Sequence, residues 1–206
     1  MRHINLLMCM TIVFMLGARL KMAQNSQFVH STSLSKGFIF MTKFEDFMHP
    51  ITLEEGKNFF MLVGPPGSGK STLAKQLQDS ESANTIIVCP DDIREELSGD
   101  ATDQSRNVEV FEKVYERLVM HLDAGFNVIY DATNCRSNYR FKILNTVKPH
   151  ANKIICLMST TSIVDCINRN SLRDRVVPDR VIENMYFTLK KHPPTLFEGY
   201  DMIIAF

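Results

Sequence analysis

Eight consecutive residues carry the clearest chemistry in this chain: Gly64-Pro65-Pro66-Gly67-Ser68-Gly69-Lys70-Ser71. They fit G-x-x-x-x-G-K-[ST], a loop that cradles phosphates. Glycines let backbone N–H groups turn inward and approach a β-phosphate closely. The helix that follows adds the positive end of its dipole. Lys70 sets a point charge on the β- and γ-oxygens, and the Ser71 hydroxyl ligates Mg²⁺. Thr72, the next residue, is counted with the same donor site. The pattern predicts binding of a nucleoside triphosphate with Mg²⁺. What receives the phosphoryl group, or whether only water does, stays open.

Further candidates follow the other apolar runs, where the ligand of an open parallel sheet lies. After the second run comes Pro90-Asp91-Asp92-Ile93-Arg94. Asp91 or Asp92 can take the proton of an attacking hydroxyl. Alternatively one of them N-caps a short helix over Ile93–Leu97. Two adjacent aspartates can fill both roles, with Asp91 preferred as the base. Arg94, one turn on, faces the same cleft and can hold an anionic acceptor, or it is a solvated surface arginine. After the third run comes Asp131-Ala132-Thr133-Asn134, then Arg136 and Arg140. Asp131 can orient the acceptor or Arg94, help organise the waters of Mg²⁺, or simply form a turn. Thr133 and Asn134 offer neutral hydrogen bonds. Arg94, Arg136 and Arg140 together can form a local basic funnel. Arg169 and Arg173 are four residues apart, a spacing that shares one helical face. Arginines there can neutralise the charge spread over a transferring phosphoryl group, or form a solvated basic helix end. Arg175 is a weaker candidate.

The elements that must position these groups alternate. Apolar runs of strand length cover Asn58–Val63, Thr85–Cys89, Asn127–Tyr130, Lys153–Leu157 and Asp201–Ala205. Continuous apolar runs suit strands buried on both faces. Helical patterns lie between: Ser71 to about Gln78, Asp103–Ala124 with Gly125 after it, Tyr139–Val147, Ser162–Asn170 and Pro178–Leu189. The alternation predicts an α/β domain with a five-stranded parallel sheet and right-handed crossovers.

The chain has 206 residues, 45% hydrophobic and 22% charged, enough for one domain with a core. Its 23 basic and 23 acidic side chains cancel, but unevenly. Residues 1–44 hold five basic side chains and no Asp or Glu; 45–206 are net −5. Seven of the twelve methionines lie in the first 48 positions. Ile4–Ala18 is apolar but short for a spanning helix. Membrane anchor, transit peptide, partner-binding segment and upstream sequence ahead of a start at Met41 all fit the stretch. The last is favoured, so 1–40 is expected as a leader or upstream segment without fixed structure and 41–206 as the domain. The five scattered cysteines show no metal-ligand spacing and read as reduced, mostly packed thiols of a cytoplasmic protein; no stable membrane association is expected for 41–206.

The phosphate loop, Asp91-Asp92-x-Arg94, Asp131-x-Thr133-Asn134 and Arg169-Asn170-x-x-Arg173 occur in this order. Together they resemble the kinase domain of bacteriophage-type polynucleotide 5′-hydroxyl kinases, within the wider group of P-loop kinases that includes zeta-type toxins. The resemblance spans roughly Phe59 to Ile204. It implies a P-loop NTPase three-layer fold, sheet order 2-3-1-4-5 counting the five strands along the chain, and an arginine-bearing lid. It implies that residues 64–72 with Arg169 and Arg173 hold ATP, and that Ser71 meets Mg²⁺. Asp91 is then the general base on a 5′-hydroxyl, Arg94 touches the acceptor phosphate, and Asp131, Thr133, Asn134 and Arg136 line the acceptor side. No D-x-D-G-T motif of a fused phosphatase is present, so removal of a 3′-phosphate is not expected. The expected activity is ATP-dependent phosphorylation of a hydroxyl, foremost the 5′-hydroxyl of RNA or DNA. The alternatives are a kinase of a small molecule or nucleotide sugar, and an ATPase switch. The acidity of 45–206 weighs against a long polynucleotide acceptor, because such a track is basic; the local funnel suffices for a few nucleotides at a strand end, and a small-molecule acceptor needs no track.

Overall fold

A computed structural model describes residues 38–40, 56–80 and 84–206 of the chain. Six strands form one parallel sheet: β1 (Phe38–Phe40), β2 (Asn58–Val63), β3 (Thr85–Val88), β4 (Asn127–Tyr130), β5 (Lys153–Met158) and β6 (Met202–Ala205). Among the described residues six α-helices accompany them: α1 (Lys70–Ser80), α2 (Pro90–Ser98), α3 (Asn107–Asp123), α4 (Ser137–Val147), α5 (Ile163–Ser171) and α6 (Asp179–Lys191). The strand order is β1-β6-β5-β2-β4-β3. Leaving β1 aside, this is the expected order 2-3-1-4-5.

The sixth strand is the addition to the five expected. Phe38–Phe40 pairs in parallel with Ile203–Ala205 and covers the backbone edge of β6. It lies inside the stretch expected as a leader, so the sheet reaches residues ahead of Met41. The remainder of that expectation, including the apolar stretch Ile4–Ala18, lies outside the described residues. Among the described residues no helix is long and apolar enough to cross a membrane.

The central strand β2 is buried along its whole length. It pairs with β4 through Phe60↔Ile129 and with β5 through Phe60↔Ile155. Its side chains alternate between two separate cores, as strand geometry requires. Phe59, Met61 and Val63 join Val110, Val114 and Leu118 of α3 and Ile143 and Leu144 of α4. Phe60 and Leu62 join Leu73, Ala74 and Leu77 of α1. Helices on both faces explain why the strand runs are apolar without alternation. They make the three-layer arrangement that the strand order implies.

Boundaries shift where local chemistry overrides periodicity. α3 starts at Asn107 rather than near Asp103, because Asp103 accepts from the Ser105 N–H at 2.8 Å and holds a turn there. α2 begins at Pro90, with the backbone of Cys89 as its cap and no side-chain cap. The idea that Asp91 or Asp92 caps this helix is therefore corrected: both sit in its first turn, where a carboxylate favours the helix dipole. Ser162 is the cap of α5, its hydroxyl accepting from the Asp165 N–H at 3.1 Å.

Candidate active site

The phosphate loop joins the C-terminal end of β2 to the start of α1. Gly67 has φ +76°, and a Cβ there would stand 2.1 Å from the carbonyl oxygen of Cys166. Only glycine fits that approach of α5 to the loop. The Lys70 Nζ donates to the carbonyl oxygen of Pro65 at 2.8 Å and to the Ser68 hydroxyl at 3.3 Å. These bonds hold the ammonium inside the loop. Burial pulls its pKa below the ordinary lysine value, against the opposing charge of Asp131.

Asp131 follows β4, the neighbour of β2, and so arrives beside the loop. Its carboxylate is buried, beside the Ser71 hydroxyl and the Lys70 ammonium. Burial raises its pKa above the ordinary carboxylate value, and Ser71 and Lys70 counter the rise. The pair of Ser71 hydroxyl and Asp131 carboxylate fits Mg²⁺, a hard cation that takes one or two protein carboxylates beside phosphate oxygens. Among the described residues no cluster of three His, Cys, Asp or Glu side chains stands ready to hold a metal alone. A raised folded pKa means that Asp131 contributes stability below about 3.8 and loses it as pH rises through the folded value. Asp131→Asn removes that loss. Its melting temperature is expected to gain on the wild type from pH 4 to pH 7; a constant difference across that range contradicts the burial account.

A cleft of about 670 Å³ opens from the loop along the C-terminal strand ends. Lys70, Ser71, Asp91, Arg94, Asp131, Thr133, Asn134 and Arg173 all line it, so the separate sequence signals converge. Arg94 donates to Asp91 and, through Nε and Nη2, to the Asn107 Oδ1 at 3.4 and 3.3 Å. Its side chain is only 11% exposed, which excludes the solvated-surface reading. Asp92 is exposed and does not line the cleft, leaving Asp91 as the aspartate of that turn that does.

Three sequence expectations change. Asn134 lines the cleft but is tied down: its φ is +49° and its amide donates to the carbonyl of Leu62 at 2.8 Å, which fixes the loop to β2. Thr133 contributes its backbone there as well, accepting from the Gly64 N–H at 2.9 Å. Arg140 belongs to no funnel. It is fully buried and donates to both Glu198 carboxylate oxygens at 2.7 Å and to the carbonyls of Asn134, Cys135 and His192. Arg136 lies over the Tyr139 ring, 5.7 Å from its centroid, outside the cleft lining.

Arg169 and Arg173 do not share a helical face, because α5 ends at Ser171. Arg169 reaches the phosphate loop, with one guanidinium nitrogen 3.7 Å from a Cβ built on Gly69. Arg173 is carried by the turn beyond. That turn is held at its base by Asn170, fully buried, whose side chain bonds both the carbonyl and the N–H of Val177. Arg175, on the same segment, donates to Asp91 Oδ2 at 3.4 Å. Sequence reasoning left Asn107 unassigned. It also left unassigned the cleft's aromatic wall, Phe111, Tyr115, Tyr130 and Tyr139. Phe111 and Tyr115 lie on α3 at helical spacing, which reads equally as core.

Comparison with known proteins agrees with this fold. A family model, AAA_33, described as an AAA domain, matches residues 59–192. An L-seryl-tRNA(Sec) kinase of Methanococcus maripaludis is 26% identical over 138 residues, 61% of this chain and 50% of that protein. A chain of the Pnkp1/Rnl/Hen1 RNA repair complex superposes with a TM-score of 0.61 at 24% identity, over 68% of this chain and 46% of that one. Kti12 of Chaetomium thermophilum, solved with ADP-AlF3, superposes with a TM-score of 0.52 at 15% identity, over 72% of this chain and 88% of that one. The chain spans half the length of the curated relative and less than half of the repair-complex chain.

Proposed function

Because this chain belongs to the AAA_33 family of AAA domains and has a P-loop kinase fold, we propose that it transfers the γ-phosphoryl group of ATP to a hydroxyl, that of a 5′ nucleic acid end. The observation that carries the reading is Asp91 with Arg94, set in the cleft that begins at Lys70. A carboxylate and a fixed guanidinium are what a hydroxyl beside a phosphodiester needs: a proton acceptor and a partner for the phosphate. A hydrolytic switch has no acceptor phosphate for that guanidinium to meet. The aromatic wall supports a nucleoside at the reacting end, since every base has a face to stack. Two similar proteins are named for RNA, a tRNA kinase and an RNA repair complex.

The residues divide the work. The loop N–H groups and Lys70 hold the β- and γ-phosphates. Arg169 and Arg173 neutralise the charge that spreads over the equatorial oxygens. Asp91 takes the proton of the acceptor hydroxyl as its oxygen bonds to phosphorus and the bond to ADP breaks. Mg²⁺, held by Ser71 with Asp131 behind it, would neutralise the β- and γ-oxygens when bound. The local acceptor contact, Arg94, suits a strand end more than a long duplex.

The test is incubation with γ-labelled ATP and 5′-hydroxyl RNA and DNA oligonucleotides. Label at the 5′ end is expected. Label only in a small-molecule extract points to a metabolite kinase, and label only in inorganic phosphate to an ATPase; either result overturns the reading.

A further inference from the structure

Both carboxylate oxygens of Asp91 already accept a guanidinium N–H. Oδ1 accepts from Arg94 and Oδ2 from Arg175. The two partners are unlike. Arg94 lies one turn along the same helix, is nearly buried, and is fixed by Asn107. Arg175 comes from the lid segment between α5 and α6, 84 residues away in sequence, and is 42% exposed. Its other contact is the backbone carbonyl of Ala101, at 3.2 Å. One exposed guanidinium thus straps the lid to the α2 turn and to the loop behind it.

Arg94 occupies Oδ1, so Oδ2 is the oxygen left to take a proton, and Arg175 stands on it. We propose that Arg175 is a positioning residue that keeps Asp91 from activating water, and that the acceptor hydroxyl displaces it. The inference rests on Asp91 as the base proposed above, but not on which acceptor is used. When Arg175 withdraws, Oδ2 takes the proton of the O–H that lies against it. That oxygen bonds to Pγ, the bond from Pγ to the bridging oxygen breaks, and ADP leaves with the electron pair. Water and acceptor differ in what moves the latch. An acceptor carries remote groups whose binding can drive the displacement, and a water has none. An exposed ion pair is weak enough to be displaced and strong enough to bias the two outcomes about fivefold.

The experiment measures acceptor-free ATP hydrolysis by wild type, Arg175→Ala, Asp91→Asn and the double variant. Arg175 is exposed, so its replacement leaves the fold intact. Hydrolysis is expected to rise about fivefold in Arg175→Ala and not to rise when the same change is made in Asp91→Asn. With acceptor present, the fraction of γ-phosphate lost to water is expected to rise as well. Hydrolysis equal to or below wild type in Arg175→Ala overturns the proposal. So does an equal rise in the Asp91→Asn background, which would place the effect elsewhere in the lid. Failure to label an oligonucleotide by wild type removes the acceptor assignment alone, while the hydrolysis comparison still decides on Arg175.

Discussion

Asp91→Asn is expected to lower the rate of phosphoryl transfer about a thousandfold, within the range that a positioned general base contributes. Asparagine keeps the size of the side chain and an oxygen for Arg94, but it cannot take a proton. Lys70, Ser71 and the loop that bind nucleotide are untouched, so ATP affinity is expected to stay within about twofold, as for a group that acts mainly in the transition state. Single-turnover transfer and nucleotide titration separate the two quantities. A variant that retains a tenth of the wild-type rate removes Asp91 from the role of base. Glu112 and Asp131 are then the other carboxylates lining the cleft; Asp131 sits beside Ser71 and Lys70, which suits the donor side better.

Glu198→Ala is expected to destabilise the protein by about 3–5 kcal/mol, the cost of leaving a buried charge without its partner. Arg140 is fully buried, and Glu198 is the carboxylate that it meets, through two parallel bonds of 2.7 Å. For a domain of this size that is a fall of roughly 10 °C in melting temperature. Replacing both residues, Arg140→Met with Glu198→Leu, is expected to recover most of the loss, because an apolar pair needs no counter-charge. Urea denaturation of wild type and the two variants measures this. A single variant within about 1 kcal/mol of wild type, the worth of an exposed pair, would mean that water reaches the guanidinium. The same arginine holds the carbonyls of Asn134 and Cys135, so the pair also fixes the loop that ends in the cleft.

The places of Lys70, Ser71 and Asp91 on the cleft lining are legible from short spacing: a loop of eight residues, or a carboxylate just past a strand. The order of five strands followed from the resemblance, and their burial from uninterrupted apolar runs. Arg140 was misplaced because an arginine after a strand end looks the same whether it meets solvent or Glu198. Those two residues are 58 positions apart, and no local pattern records that separation. Arg173 was placed on a helical face because four-residue spacing assumes that the helix continues. Asn170 ends that continuity by bonding Val177 across the turn.

What the sequence determined by itself was the donor chemistry, the alternation of elements and a short set of acceptor candidates, since each is written in neighbouring residues. Only the tertiary structure set Asp91 rather than Asp92 on the cleft lining and tied the Asn134 amide to β2. It also brought Arg175 onto Asp91 and added a strand at 38–40 to the sheet edge. Those outcomes depend on contacts between distant segments, and such contacts are selected by packing and burial of the whole domain rather than by local spacing.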